Sequence, residues 1–287
     1  MSPDTGMVFA YTSSHRISHA GRSLLLKDLA DSALGDDART NRHEGFHDPR
    51  REPEIYRRLL GPLSIGPRCH ESGEDWIIID HIDAPALWQI GEASVWIAVA
   101  GWIARMHATL RSYRASVPQS PLPLVQHGEQ LWSSWRERAK EAGLDGQILD
   151  AHRRASKRLA ALPADIIHGE LYASNILVRA RSDGDDVRAL EVWPVDWELA
   201  GLGPSVLDVA ALTMGSGLDA ATRAGMERVY FSAAHGQPSE WAAWRTDLDA
   251  ARLHVCVQWL GWSTSWSPPQ QHRHDWNTEA RRLARRF

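Results

Sequence analysis

Three polar side chains that follow short apolar runs could perform chemistry together. Glu170 and Asn175 lie five positions apart in "IIHGELYASNILV", and Asp196 ends the apolar run of "VWPVDWELAGLGP". A carboxylate and a side-chain amide offer the hard oxygen atoms that Mg²⁺ prefers. A second carboxylate can orient a hydroxyl group and accept its proton while a phosphoryl group is transferred from a nucleotide. The residues therefore predict a magnesium site at Asn175 and Asp196, with Glu170 as the base.

Phosphoryl transfer also needs a cation on the phosphates of the nucleotide. Lys27 ends the apolar run "SLLLK", so it would extend from a strand into a cleft. A lysine in that position is by itself more often a solvated strand end. Its location upstream of a helix that bears glutamates favours the phosphate-binding role instead.

The N-terminal part of the chain is typical of strands with one helix. Four short apolar or alternating runs predict strands: "MVFAY", "HRISHAG", "RSLLLKDLA" and "DWIIIDHI". "EPEIYRRLL" predicts a short helix, because Pro53 suits a first turn and Ile55 and Leu59 recur at helical spacing. The polar stretch from Asp31 to Arg50 is rich in turn formers and predicts an exposed loop.

The pattern then changes to helix. Apolar residues recur every three and four positions in "EASVWIAVAGWIARMHATL", and two amphipathic helices follow at about 129–142 and 146–162. The motifs that carry Glu170 and Asp196 form a small strand–loop–strand–turn–strand unit. After Pro204 the chain is predicted to be helical to its end, with breaks at "HGQPSE" and "SWSPPQQ".

These elements predict an α+β fold of two lobes. Residues 1–82 form a small N-terminal lobe, a β-sheet with one helix. Residues 83–287 form a larger, mainly helical lobe, and a linker lies near residues 80–85. Hydrophobic residues make up 43% of the 287 residues, which is enough for a sizeable core.

Composition limits the partners and the compartment. The net charge of -4 and a pI near 6.4 argue against a nucleic-acid-binding face. Cys69 and Cys256 are too few and too far apart for a disulfide framework or a CxxC metal site, which fits a reducing cytoplasm. The N-terminus lacks the pattern of a signal peptide, and no apolar run approaches the length of a membrane span. We therefore expect a cytoplasmic protein that binds neither nucleic acid nor membrane.

The two motifs together resemble a known family. "HGELYASN" followed by "VDWELAGLGPSVLDVAAL" resembles the aminoglycoside phosphotransferase and choline kinase-like family, which shares the protein-kinase fold. "GWIARMHATL" and "DWIIIDHIDAPALWQIG" are similar to that family's helix ending in Leu-His-Ala and to its inter-lobe hinge. The resemblance implies a kinase that uses ATP and Mg²⁺ to phosphorylate a hydroxyl group on a small polar acceptor, such as an amino sugar, a sugar or an antibiotic.

The resemblance also implies roles for individual residues outside the predicted metal site. Lys27 would contact the α- and β-phosphates, supported by an acid on the following helix. Glu52 matches that acid by its spacing, but a proline follows it directly, so Glu54 remains the competitor. His168 would brace the catalytic loop, and Asp208 would be a buried acid that binds the backbone of that loop.

The nucleotide would contact two further segments if the resemblance holds. The backbone of Asp80, His81 and Ile82 would meet the adenine. The chain has no GxGxxG motif near its N-terminus, and "YTSSHR" stands in the place of that loop. Ser13, Ser14 and the neighbouring backbone amides would then bind the phosphates.

The proposed base departs from the family pattern, and the residues that would bind the acceptor form no recognisable motif. Position 170 is Glu where the family has Asp, so the alternative function is a catalytically impaired, nucleotide-binding protein with a kinase fold. A protein kinase is disfavoured because no Ala-Pro-Glu segment follows the second motif. Trp266 is predicted to line the acceptor cleft. Asp219, Asp247 and Asp249 could line a pocket for a cationic acceptor, although such acids are more often helix caps or solvated residues.

Overall fold

The computed structural model describes most of the chain. The described residues are 13–30, 48–117, 122–184, 186–215, 218–234, 236–262 and 274–287. The predicted strand "MVFAY", most of the predicted exposed loop and Trp266 lie outside these ranges.

The N-terminal sheet has four antiparallel strands in the order β1-β2-β4-β3. Its strands are β1 (Ser13–His19), β2 (Arg22–Asp28), β3 (Cys69–Ser72) and β4 (Trp76–Asp80). Ala20 and Gly21 join β1 to β2, and both have positive φ angles, 48° and 75°. Two such residues match the right-handed twist of a hairpin. This arrangement places Lys27 near the end of an inner strand, as the sequence predicts.

Helix α1 comprises α-helical turns at Arg51–Ile55 and Gly61–Leu63 on either side of a π-helical segment, Tyr56–Leu60. Pro53 occupies the first turn, where its missing N–H removes no helical hydrogen bond. Tyr56 is fully buried together with Ile55, Leu59 and Leu60 of the same helix. The predicted helix is confirmed, and its buried side faces the sheet.

Helices make up most of the C-terminal part. They are α2 (Ala93–Ser116), α3 (Glu129–Glu141), α4 (Gly146–Ala160), α5 (Val206–Thr213), α6 (Ala220–Ala234), α7 (Trp241–Trp262) and α8 (Trp276–Ala284). The predicted helices agree with these bounds to within a few residues. The structure is therefore a mixed α+β fold with a small antiparallel sheet and a larger helical part, as predicted.

Short strands hold the two motifs next to each other. Strands β7 (Ile176–Asp183) and β8 (Asp186–Pro194) form the predicted hairpin. A three-stranded sheet in the order β5-β9-β6 combines Val125–Gln126, Gly201–Gly203 and Asp165–Ile167. The sequence did not predict β5 or β9, because two or three residues are too few for a strand period to be visible.

The core contains many of the tryptophans. Trp132, Trp135 and Trp197 are among the largest fully buried side chains, so they are packing residues, as their type favours. Among the described helices, none is long and apolar enough to cross a membrane. The division between residues 82 and 83 stays a prediction.

Candidate active site

The catalytic loop, residues 168–175, runs from β6 to β7 and is held by a buried carboxylate. Asp208, in the first turn of α5, accepts hydrogen bonds from the backbone N–H groups of His168 and Gly169, both at 2.9 Å. The Nε2 of His107 lies 3.0 Å from the same carboxylate. Burial would raise the pKa of Asp208, but these hydrogen bonds and His107 outweigh it and lower that pKa. Asp208 thus makes the contacts that its predicted structural role requires.

His168 joins the catalytic loop to the end of β8. Its Nε2 donates to the carbonyl of Val195 at 2.9 Å, and its Nδ1 accepts from the N–H of Glu170 at 3.3 Å. Burial lowers the pKa of His168, so the ring is neutral and these two contacts fix its tautomer. Its ring also packs on Trp197, with ring centroids 4.6 Å apart. The side chain is enclosed and braces the loop.

Gly169 allows the loop to turn immediately before the predicted base. Its φ of 89° lies in the left-handed region, which residues other than glycine rarely adopt. A methyl group at this position would also collide with the carbonyl of Leu199. The local sequence His-Gly-Glu therefore places Glu170 beyond a turn that only glycine permits.

The carboxylate of Glu170 is half-buried, and no described residue forms a hydrogen bond with it. Burial raises its pKa well above the usual value, and the nearby carboxylates of Glu198 and Asp196 raise it further. A carboxylate with a raised pKa is a stronger proton acceptor than an ordinary glutamate. The position and the electrostatics of Glu170 suit a general base.

Asn175 ends a short 3-10 turn, Ala173–Asn175, and its amide orientation is fixed. The Nδ2 group donates to the backbone carbonyl of Glu170 at 3.0 Å. The carbonyl of Asn175 accepts from the N–H of Val195 at 2.9 Å, which keeps the loop beside the end of β8. The side-chain oxygen accepts a long hydrogen bond from the hydroxyl of Ser174, at 3.3 Å, and its second lone pair can bind a cation.

Asp196 has a left-handed backbone, with a φ of 66°. Aspartate tolerates this conformation better than most residues, but it still costs energy. The metal loop, residues 196–200, begins here and carries the side chain towards Lys27. An Oδ1 atom of Asp196 contacts the Nζ atom of Lys27, which is itself buried.

Lys27 lies between two carboxylates. Its Nζ atom is 2.7 Å from Glu52, on α1, and contacts Asp196 on the other side. Burial alone would lower the pKa of Lys27, but the charges of Asp196, Glu52 and Glu198 outweigh it, so the pKa is raised and the lysine stays cationic. The second carboxylate oxygen of Glu52 accepts from the N–H of Trp197 at 3.3 Å. One side chain of α1 therefore contacts both the lysine and the metal loop.

The structure decides between the two candidate acids on α1. Glu54 forms ion pairs with Arg57 and Arg58 along the outer side of the helix. Glu52 is buried and faces Lys27, so it is the residue that pairs with the lysine. The proline after Glu52 does not interfere, because both residues lie in the first helical turn.

The residues present fit a magnesium ion that is shared with a nucleotide. Asp196 and Asn175 supply one carboxylate and one amide oxygen, which are donors of the hard type that Mg²⁺ selects. Within the described ranges, no group of three or more His, Cys, Asp and Glu side chains could hold a metal by itself. Two protein ligands, with phosphate oxygens and water for the rest, match the usual binding of Mg²⁺ at nucleotide sites.

The predicted phosphate loop is partly wrong. Ser13 and Ser14 do not belong to a loop, since they begin strand β1, where Ser14 is the register partner of Lys27. Directly opposed residues in an antiparallel pair project on the same face of the sheet. The exposed Ser14 therefore shares the face of Lys27, and its binding to phosphates stays a prediction.

The hinge backbone is only partly available to an adenine. The N–H of Asp80 donates to the carbonyl of Arg68 at 2.9 Å, and the N–H of His81 donates to the carbonyl of Ser23 at 3.2 Å. The N–H of Ile82 has no partner among the described residues. Sheet pairing extends further than the sequence suggested and leaves only the N–H of Ile82, among these three, without a partner in the described residues. The contact of the hinge with an adenine stays a prediction.

The comparisons with known proteins support this arrangement. The model of the phosphotransferase enzyme family matches residues 56–245, well over half of the chain. The chain belongs to this family. It is accordingly an ATP-dependent phosphotransferase that acts on a hydroxyl acceptor, and the predicted enzyme class is confirmed. A comparison with curated proteins by sequence found no match.

Solved structures with the same fold include enzymes with different acceptors. Choline kinase LicA from Streptococcus pneumoniae is similar at 12% identity, with a TM-score of 0.59, 96% of this chain and 90% of that chain covered. A GDP complex of aminoglycoside 2'-phosphotransferase-IIIa has a TM-score of 0.59 at 12% identity, covering 97% and 93%. An aminoglycoside-3'-phosphotransferase of type VIII has a TM-score of 0.54 at 20% identity, covering 84% and 87%. At these identities the likeness establishes the fold.

The acidic residues that could have lined a pocket for a cationic acceptor in this phosphotransferase have other partners. Asp219 caps α6 by accepting from the N–H groups at its first turn. Asp247 pairs with Arg158, and Asp249 pairs with Arg286. These acids serve as a cap and as partners of arginines, which is the more ordinary role. The predicted contact of Trp266 lies outside the described residues.

One residue that supports the site was missed in the sequence. Arg51, directly before Glu52, donates to the backbone carbonyls of Pro123 and Glu198, each at 2.7 Å. It is buried although it is charged, and it attaches α1 to the metal loop. The sequence could have indicated this role of Arg51 only through its position beside Glu52, because a single arginine at a helix start shows no periodic pattern.

Proposed function

We propose that this protein transfers the γ-phosphate of ATP to a hydroxyl group of a small polar molecule, such as an amino sugar, a sugar or an antibiotic. The observation that carries the proposal is the buried contact of Lys27 with both Glu52 and Asp196. It places a permanent cation at the site, beside the loop that bears Glu170 and Asn175.

Each residue has one task in the proposed reaction. Lys27 binds the phosphates of the nucleotide, and Glu52 holds the lysine in position. Asn175 and Asp196 would hold magnesium through their side-chain oxygens. Glu170 orients the acceptor hydroxyl and takes its proton while the acceptor oxygen forms a bond to the γ-phosphorus. The bond from that phosphorus to the bridging oxygen breaks, and ADP leaves.

The charges around Glu170 and Asp196 in the protein without nucleotide support this division of tasks. Glu170 has no cationic partner among the described residues, and its raised pKa keeps it basic. Asp196 contacts the cation Lys27, so the two carboxylates have different surroundings. When bound, magnesium would neutralise phosphate charge and align the phosphoryl group for transfer.

The acceptor is left open between several hydroxylated classes. Solved structures with this fold include both choline kinases and aminoglycoside phosphotransferases. Asp247 and Asp249 are paired with arginines, so they do not by themselves support a strongly cationic acceptor.

A second candidate function is a nucleotide-binding protein with impaired turnover. Glu170 is longer by one methylene than the aspartate usual at its position, which displaces the carboxylate by roughly an ångström. A misplacement of that size can cost about 100-fold in rate. The Glu170→Asp variant separates the candidates. Loss of turnover indicates a loop shaped for glutamate, whereas a gain of about 100-fold over wild type indicates an impaired natural enzyme.

The proposed function is tested by ATP turnover with Mg²⁺ against a panel of hydroxylated metabolites and antibiotics. Phosphorylated product is measured by mass spectrometry, and Asp196→Ala serves as the inactive control because it removes a proposed metal ligand. We expect product with at least one acceptor for the wild type and none for the variant. Equal product from both proteins would show that Asp196 is not part of the machinery.

A further inference from the structure

We propose that His127 is a positioning residue that fixes the catalytic loop and the metal loop relative to each other. This inference rests on the proposed function, because it concerns how Glu170 and Asp196 are kept at working distance. His127 follows strand β5 and is far in sequence from both motifs. The residues next to it in sequence form no recognisable functional motif.

His127 is bonded to the segment that follows Asp196 at two points. Its backbone N–H donates to the carbonyl of Leu202 at 2.8 Å. Its ring Nε2 donates to the carbonyl of Leu199 at 2.9 Å. The first bond continues the pairing of β5 with β9, but the second is made by the side chain alone. The ring therefore fixes a carbonyl of the metal loop that a generic strand residue would leave unbound.

The same ring packs against the catalytic loop. A methyl group added to Gly169 would lie 2.9 Å from Nε2 of His127, which is closer than such atoms approach in proteins. A methyl group at Gly203 would lie 2.7 Å from the Cβ atom of His127. Glycines on both sides make room for this one side chain. The imidazole thus occupies the space between Gly169 and Leu199.

The ring acts as a neutral donor. His127 is 9% exposed, and burial lowers its pKa. With a single proton, and with Leu199 offering only an acceptor, the proton is on Nε2. A glutamine in this place keeps an N–H donor at a similar reach, whereas a leucine keeps the apolar volume and loses the donor.

The residues that His127 contacts lie close in sequence to the two proposed reacting residues, Glu170 and Asp196. Glu170 is the neighbour of Gly169, and Asp196 precedes Leu199 by three residues. If the contact to Leu199 is lost, the metal loop is held less firmly against Gly169. A shift of about 1 Å in a reacting group can cost about 100-fold in rate. Binding of the nucleotide by Lys27 and the hinge should change far less.

The test compares His127→Gln with His127→Leu. A matched control is His152→Leu, because His152 is also a buried, hydrogen-bonded histidine but contacts His254 and Arg136 instead of either loop. Two measurements are made on each folded protein: amide hydrogen exchange of residues 168–175 and 196–202, and kcat and KM for ATP with the best acceptor of the panel.

We expect His127→Leu to exchange faster in both loops and to lose about 10- to 100-fold in kcat, with KM for ATP changed less than about threefold. His127→Gln should retain most of the protection and the rate. The control should lose stability without selective exchange in the loops. Equal exchange in His127→Leu and in the control would overturn the positioning role. Equal defects in His127→Gln and His127→Leu would overturn the role of the donor.

The exchange measurement does not depend on catalysis. A wild type that turns over no acceptor and binds no Mg²⁺–ATP would count against the proposed function. In that case, selectively faster exchange of both loops in His127→Leu still supports the positioning role of His127, and the absence of that effect still overturns it.

Discussion

Replacing Glu170 with glutamine should make the protein more stable at neutral pH and nearly inactive. The substitution keeps the size of the side chain but removes its charge and basicity. In the native protein, burial raises the pKa of Glu170, and Glu198 and Asp196 raise it further. Burial and these two carboxylates therefore disfavour the ionised form of Glu170 in the folded protein.

The sign of the stability effect follows from proton linkage. The folded pKa of Glu170 lies above the unfolded value of about 4.5. The favourable contribution of its protonated form is thus complete below the unfolded pKa and is lost as the pH rises through the folded pKa. Glutamine stays neutral at every pH. Glu170→Gln should match the wild type near pH 4 and exceed it increasingly towards pH 8.

The gain in stability of Glu170→Gln grows with the difference between the folded and the unfolded pKa of Glu170. Each pKa unit corresponds to about 1.4 kcal/mol, which is roughly 2–4 °C in Tm for a chain of this length. Loss of a general base costs about 10²–10⁴-fold in turnover. The same variant should therefore gain at least a few degrees in Tm at pH 8 and lose at least about 100-fold in kcat.

The assay records Tm without nucleotide from pH 4 to pH 8, and kcat with Mg²⁺–ATP at neutral pH. Glu141→Gln, at an exposed position on α3, serves as the control and should show no gap that grows with pH. If the gap in Tm between Glu170→Gln and wild type stays constant from pH 4 to pH 8, the carboxylate is not held in a disfavoured charged form. Full turnover of Glu170→Gln would refute its assignment as the base.

Three further substitutions address the neighbouring residues. Asn175→Ala should raise the Mg²⁺ concentration needed for half-maximal rate, and an unchanged titration would remove Asn175 from the metal site. Lys27→Ala leaves Glu52 and Asp196 without their cation, so the free energy of unfolding in urea should fall by about 3–5 kcal/mol. The KM for ATP should rise in the same variant. Wild-type values of both quantities would make Lys27 an ordinary strand residue. Glu198→Gln removes a like charge that raises the pKa of Glu170, so the acid limb of the pH profile of kcat should move to lower pH, and a stationary limb would exclude that coupling.

Most helices, and the residue types available for the chemistry, could be predicted from the sequence. Helices α2 to α4 follow from apolar residues at three and four positions, because that period is a local property of the chain. The metal site was predicted from residue types at the ends of apolar runs, and the strand–turn–strand unit does bring Asn175 next to Val195. Lys27 was predicted at a strand end, where the structure has it. Such features depend on neighbours close in the chain.

Which residues contact each other across the chain became clear from the three-dimensional fold. Glu52 and Glu54 are two positions apart on one helical turn, so they point in different directions, and the docking of α1 on the metal loop selects Glu52. Sheet pairing with Ser23 and Arg68 uses two hinge amides that the sequence left available. His127 gains its place between Gly169 and Leu199 only when β5 pairs with β9, strands too short to leave a pattern. Contacts of this kind join segments tens of residues apart, and a local sequence period carries no information about them.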